Sequence, residues 1–131
     1  MSNLQLKIDG EAITCELLND RAPNTCRAIE ELMPFRGELH YAKIAGEEIY
    51  FGIPLLLPLE QSSAVHGLPA GSVAYWPDRQ VFCVYYGAPQ EEAATVTIFA
   101  RVTQNLLGLR RLGEEVRLQQ GKPVLVEMEA S

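Results

Sequence analysis

The sequence predicts a mostly-β domain carrying two helices. Three features carry that expectation: apolar residues that alternate with a period of two over short runs, turn residues spaced between those runs, and only two stretches with apolar residues at helical spacing. The chain has 131 residues, enough for one hydrophobic core, and no repeat, low-complexity tract or linker divides it. A single domain over residues 1–131 is therefore expected.

Leu4, Leu6 and Ile8 alternate with polar neighbours, and after Asp9-Gly10 the alternation resumes at Ile13, Cys15 and Leu17. This is the pattern of a β-hairpin. Pro23-Asn24-Thr25 then opens a segment in which Cys26, Ile29, Leu32 and Met33 recur at helical spacing, and Pro34 and Gly37 close it. From Glu38, the residues Leu39, Tyr41, Ile49, Phe51 and Ile53 predict two strands joined by a turn at Ala45-Gly46-Glu47. Residues 54–70 hold three of the eight prolines and read as a long irregular excursion. Gly71 to Pro77 and Gln80 to Gly87 are rich in Val, Tyr, Phe and Trp, with turn chemistry at Pro77-Asp78-Arg79, and should pair as a hairpin. Ala94 to Thr103 is a β-branched run suited to a central strand. Asn105 can cap a second helix with Leu106, Leu109, Leu112 and Val116 on one stripe, although Gly108 and Gly113 each cost it about 1 kcal/mol relative to Ala. Gly121 ends that helix, and Val124, Val126 and Met128 form a last strand.

Charge and composition remove several functional classes. A net charge of −6, with no basic run longer than Arg110-Arg111, opposes binding to a phosphate backbone, so no nucleic-acid partner is expected. The longest apolar run, Ile53 to Leu59, is far short of the about 20 residues of a membrane helix and is interrupted by Pro54 and Pro58. No membrane partner and no secretory signal are expected, which points to the cytoplasm. Cys15, Cys26 and Cys83 are odd in number and widely spaced, arguing against both a disulfide framework and a zinc site. Their most economical role is as small hydrophobes. His40 and His66 are the only histidines, too few for the usual catalytic metal centre, and the dinucleotide, P-loop, α/β-hydrolase and zincin fingerprints are all missing. Neither a metal nor a cofactor is expected.

The run Leu17-Leu18-Asn19-Asp20-Arg21-Ala22-Pro23-Asn24-Thr25, entering a short helix, resembles the strand-to-helix entry of cyclophilins. Gly37-Glu38-Leu39-His40-Tyr41 resembles their arginine-bearing strand. Ala70-Gly71-Ser72-Val73-Ala74-Tyr75-Trp76-Pro77 and Phe82-Cys83-Val84-Tyr85-Tyr86-Gly87 resemble a later hairpin. The sequence is most similar to small, uncharacterised microbial cyclophilin-like proteins. That resemblance implies a closed β-barrel with a helix at each end, consistent with the element order above.

Cyclophilins are understood to lower the barrier of about 20 kcal/mol to prolyl isomerisation with an arginine that hydrogen-bonds the proline nitrogen. The matching position here is Tyr41, or Ala42 or Lys43 with a small slip, and no arginine lies between Arg36 and Arg79. The resemblance therefore implies a retained groove more strongly than a retained activity. The expected function is a module holding a small molecule or short peptide in an aromatic-lined groove. The alternative is a divergent peptidyl-prolyl isomerase using Tyr41 or Lys43 as hydrogen-bond donor.

Tyr41, Tyr50, Tyr75, Trp76 and Phe82 are the aromatic candidates, and about half of them must turn inward because neighbours such as Tyr75 and Trp76 cannot share a face. Trp76, beside the turn at Pro77, is expected at the rim. Lys43, Arg79 and the strand histidine His40 are the polar candidates. The ligand-binding set is thus His40, Tyr41, Lys43, Tyr50, Trp76, Arg79 and Phe82. Finally, Ile53-Pro54-Leu55-Leu56-Leu57-Pro58-Leu59 reads as an apolar extended loop whose exposure favours self-association, with sealing of a barrel end as the competing role.

Overall fold

A computed structural model describes residues 2–90 and 94–129. The strands are β1 (Asn3–Ile8), β2 (Glu11–Leu17), β3 (Phe35–Tyr41), β4 (Glu48–Gly52), β5 (Ser62–Ala64), β6 (Ser72–Trp76), β7 (Val81–Tyr85), β8 (Thr95–Gln104) and β9 (Lys122–Met128). Helix α1 (Pro23–Leu32) lies between β2 and β3, and α2 (Leu106–Leu118) between β8 and β9. The strands form one antiparallel sheet in the order β2-β1-β9-β3-β4-β7-β6-β8-β5, and a further pairing of β2 with β8 closes eight of them into a barrel. Short β5 pairs with Thr95–Thr97 of β8, ahead of the stretch that β2 occupies.

Local chemistry sets the elements. Asp9 and Gly10 both take positive φ (51° and 80°) between the paired residues Ile8 and Glu11, the backbone a two-residue hairpin turn demands. Pro23 starts α1, but the cap residue Ala22 has no side-chain acceptor. The carboxylate of Glu60 supplies one from the long excursion, accepting from the backbone N–H of Asn24 (3.0 Å) and of Thr25 (2.9 Å) and from the Thr25 hydroxyl (2.8 Å). Asn105 caps α2 as expected, its side chain accepting from Gly108 N–H at 3.2 Å.

Two boundaries differ from expectation. Strand β3 begins at Phe35, ahead of Glu38, because Phe35 to Leu39 pair with β9 and that ladder recruits the residues just after the helix stop. The excursion over 54–70 is also not wholly irregular, since Ser62 to Ala64 pair with β8.

Inside the barrel, Leu4, Leu6, Ile13, Val73, Tyr75, Val84 and Val126 surround a stack in which Phe51 and Phe82 lie 4.6 Å apart and Phe99 meets Phe82 edge-on at 5.3 Å. Leu109, Leu112 and Val116 of α2 pack into this core, as do Cys26 and Ile29 of α1. Because α1 follows the end of β2 and α2 follows the end of β8, an antiparallel neighbour, the helices sit at opposite ends of the barrel. The apolar loop joins α1 at its end. Ile53 is buried, Leu55 and Leu57 rest against the core, and the Tyr75 hydroxyl donates to Leu55 O at 2.6 Å. The loop therefore turns alternate side chains inward, leaving Leu56 (84% exposed) and Leu59 (42%) on the surface.

A second apolar cluster, Val65, Ala74, Cys83, Tyr85, Ala94, Val96 and Ile98, lies on the outer face of β6, β7 and β8 under the 54–70 excursion. Strand alternation assigns successive residues to the two clusters, which fixes what faces outward beside them. No helix among the described residues is long and apolar enough to cross a membrane.

Candidate functional site

Outside the barrel, next to this second cluster, lies a cavity of about 570 Å³. Tyr50 and Glu48 reach it from β4, Trp76 from β6 and Val81 from β7, while the turn after β3 contributes Lys43 and the turn after β6 contributes Arg79. Tyr41 and Gln120 close the remaining side, where the Gln120 side-chain oxygen accepts from Tyr41 N–H at 3.2 Å. The register explains the set: Tyr50 sits opposite Cys83, and Trp76 opposite Val81, on outward-facing positions of adjoining strands.

Tyr41, Lys43, Tyr50, Trp76 and Arg79 thus come together around one cavity. His40 stands just outside it, its ring 5.8 Å from that of Tyr50, its cross-strand partner. Phe82 does not belong to the site. It is fully buried between Phe51 and Phe99 in the barrel core, because its partner across the ladder is inward-facing Tyr75. Glu48, Val81 and Gln120 line the cavity without having been expected there. An acidic residue directly after Ala45-Gly46-Glu47 reads as part of a solvated turn, yet Glu48 is only 3% exposed.

The polar groups of the cavity are unevenly satisfied. Arg79 lies over the Trp76 ring at 5.4 Å from its centroid, within cation–π range. Among the described residues neither Arg79 nor Lys43 forms an ion pair. Trp76 is half-buried at the rim, and its indole Nε1 is buried with no acceptor among the described residues. An unmade hydrogen bond of this kind costs about 1–3 kcal/mol.

Tyr41 also borders a neighbouring cavity of about 450 Å³ between α2 and residues 46–47 and 86–90. There the Tyr86 hydroxyl donates to Glu114 at 2.7 Å. Burial first, and then this carboxylate partner, push the phenol well above its usual range, whereas the same hydrogen bond holds the Glu114 carboxyl low. The Tyr86 ring lies flat against the helix at Gly113, where a Cβ would meet ring atoms at 2.4 to 2.7 Å. Arg117 pairs with Glu114 and lies 5.8 Å from the Tyr41 ring.

All three cysteines are free and buried. Burial pushes the Cys15 thiol up to about 12. Burial, reinforced by the Glu60 and Glu30 carboxylates, raises Cys26 to about 11. Among the described residues no cluster of three His, Cys, Asp or Glu could hold a metal ion.

An eight-stranded antiparallel barrel with two helices defines the class of protein. The profile of the cyclophilin-like family matches residues 2–121, and the chain belongs to that family. No curated protein matches it in sequence. Among solved structures, that of McbB in complex with tryptophan superposes with a TM-score of 0.85 at 18% identity, covering 98% of this chain. This chain spans 45% of the length of that McbB chain. The solution structure of the hypothetical protein AF2241 from Archaeoglobus fulgidus matches with a TM-score of 0.72 at 25% identity, covering 96% of this chain and 93% of the other.

Proposed function

We propose that this cyclophilin-like protein binds a small organic molecule or short peptide in the outer-face cavity, against Tyr50 and Trp76. The observation that carries the reading is the convergence of five aromatic and cationic side chains from three separate stretches of chain on one cavity of about 570 Å³, within the size range of small-molecule sites, about 300–1,000 Å³. The structure of McbB in complex with tryptophan, 45% of whose chain shares this fold, supports a small-molecule ligand. Calorimetric titration with L-tryptophan tests it. Saturable binding to the wild type that is weakened at least about tenfold in Tyr50→Ala, the loss of one aromatic contact, is the expected result. Equal binding to both proteins would move the ligand elsewhere.

A second reading, divergent prolyl isomerisation, draws on one observation: Arg117 brings a guanidinium beside the Tyr41 ring, from a helix far away in sequence. A proline-peptide isomerisation assay separates the readings. Acceleration lost in both Tyr41→Phe and Arg117→Gln would establish catalysis, and no acceleration leaves the binding module.

A further inference from the structure

Resting on that binding reading, we infer that the ligand is an organic anion whose carboxylate is held at the Arg79–Trp76 end of the cavity. The charges divide along the cavity. Glu48, Tyr50 and Gly52 are successive outward positions of β4, facing Tyr85, Cys83 and Val81 of β7, and Val81 also faces Trp76. At about 6.7 Å for every two residues, Glu48 stands about 13 Å from the Trp76–Val81 level. Lys43 belongs to the Glu48 end, since the turn that carries it begins where Ala42 N–H donates to Glu48 O at 3.0 Å. That end therefore carries one charge of each sign. At the far end Arg79 is the only charged group lining the cavity, with no acidic partner among the described residues.

Trp76 adds a directional requirement. Its buried Nε1–H lacks an acceptor among the described residues, and an indole nitrogen can only donate. A carboxylate oxygen meets both demands at once, accepting from the indole while facing the guanidinium. Arg79 can reposition to admit it, because it is exposed and bound to no other charged group among the described residues. Tyr50, Tyr41 and Val81 supply apolar walls for the rest of the molecule. A cation would meet Arg79 in repulsion, and a neutral molecule would gain nothing from its charge.

The test compares three probes sharing one ring: indole-3-acetate, indole-3-acetamide and tryptamine. Trp76 is the only tryptophan, so the ¹⁵N-labelled protein gives one indole N–H resonance that reports the contact directly. Indole-3-acetate is expected to bind at least about tenfold more tightly than the other two, the scale of one charge-assisted hydrogen bond, and to move that resonance downfield. Arg79→Gln, at an exposed turn, is expected to remove the preference for the acid over indole-3-acetamide. Tryptamine binding as tightly as indole-3-acetate, or a preference that survives Arg79→Gln, would overturn the anion assignment and leave the binding module intact. Failure of all three probes to bind would overturn both.

Discussion

Replacing Gly113 with alanine tests how α2 is seated on the barrel. Measured by propensity alone, the change in the middle of α2 should stabilise the protein by about 1 kcal/mol. The structure predicts the reverse. The new Cβ would lie 2.4 Å from Cδ2, 2.5 Å from Cε2 and 2.7 Å from Cγ of Tyr86, about an ångström inside ordinary contact. The ring cannot simply swing aside, because Tyr86 is 2% exposed and its hydroxyl is tied to Glu114 at 2.7 Å. Overpacking of this kind costs about 1–3 kcal/mol, and loosening the Tyr86–Glu114 hydrogen bond adds to it. The expected net loss is about 1–2 kcal/mol, read from urea denaturation of the two proteins. The sign should invert without the ring: in a Tyr86→Ala background, Gly113→Ala should stabilise by about 1 kcal/mol. If Gly113→Ala stabilises the wild-type protein by that amount, the helix is not seated on Tyr86 as described.

Glu60→Gln should destabilise by about 1 kcal/mol through the weakened cap of α1. It should also flatten the acid limb of the stability curve. Burial raises the Glu60 pKa, but the hydrogen bonds from Thr25 and Asn24 outweigh it and hold the native value below that of the unfolded chain. The contribution is then present above the unfolded pKa of about 4.3 and lost as pH falls through the native value. Denaturation midpoints from pH 7 to pH 3 check both points. The three cysteines should resist a thiol reagent at pH 8 in the native state and react together on unfolding, since Cys15 and Cys26 are raised to about 12 and about 11 and Cys83 is fully buried. Self-association is expected to run through exposed Leu56 and Leu59, so light scattering should show a mass above 14.5 kDa that returns to it in Leu56→Ser. A wild-type mass of 14.5 kDa at every concentration would leave the loop as a seal only.

The hairpins were legible because turn chemistry and alternation are local signals: Asp9-Gly10 and Pro77-Asp78-Arg79 announce their turns. Barrel closure came from the resemblance to cyclophilins and not from local signals, since β9 lies between β1 and β3 and β2 meets β8 through pairings between residues far apart in sequence. Strand β5 escaped notice because Ser62-Ser63-Ala64 has no apolar period to read. In the site, alternation showed that Tyr75 and Trp76 face opposite ways, but not which way. Phe82 was misplaced for that reason, because only its pairing with Tyr75 fixes it inward. Glu48 and Gln120 escaped because neither residue type nor spacing marks a polar side chain that the fold brings to a cavity wall.

The central claim is that the outer face of β4, β6 and β7 is the binding surface, and the most direct measurement is a crystal structure of the protein soaked with L-tryptophan. Ordered ligand density against Tyr50 and Trp76, beside Arg79, is the predicted result. Density confined to the neighbouring cavity between Tyr86 and α2, or to the protein surface elsewhere, would contradict it.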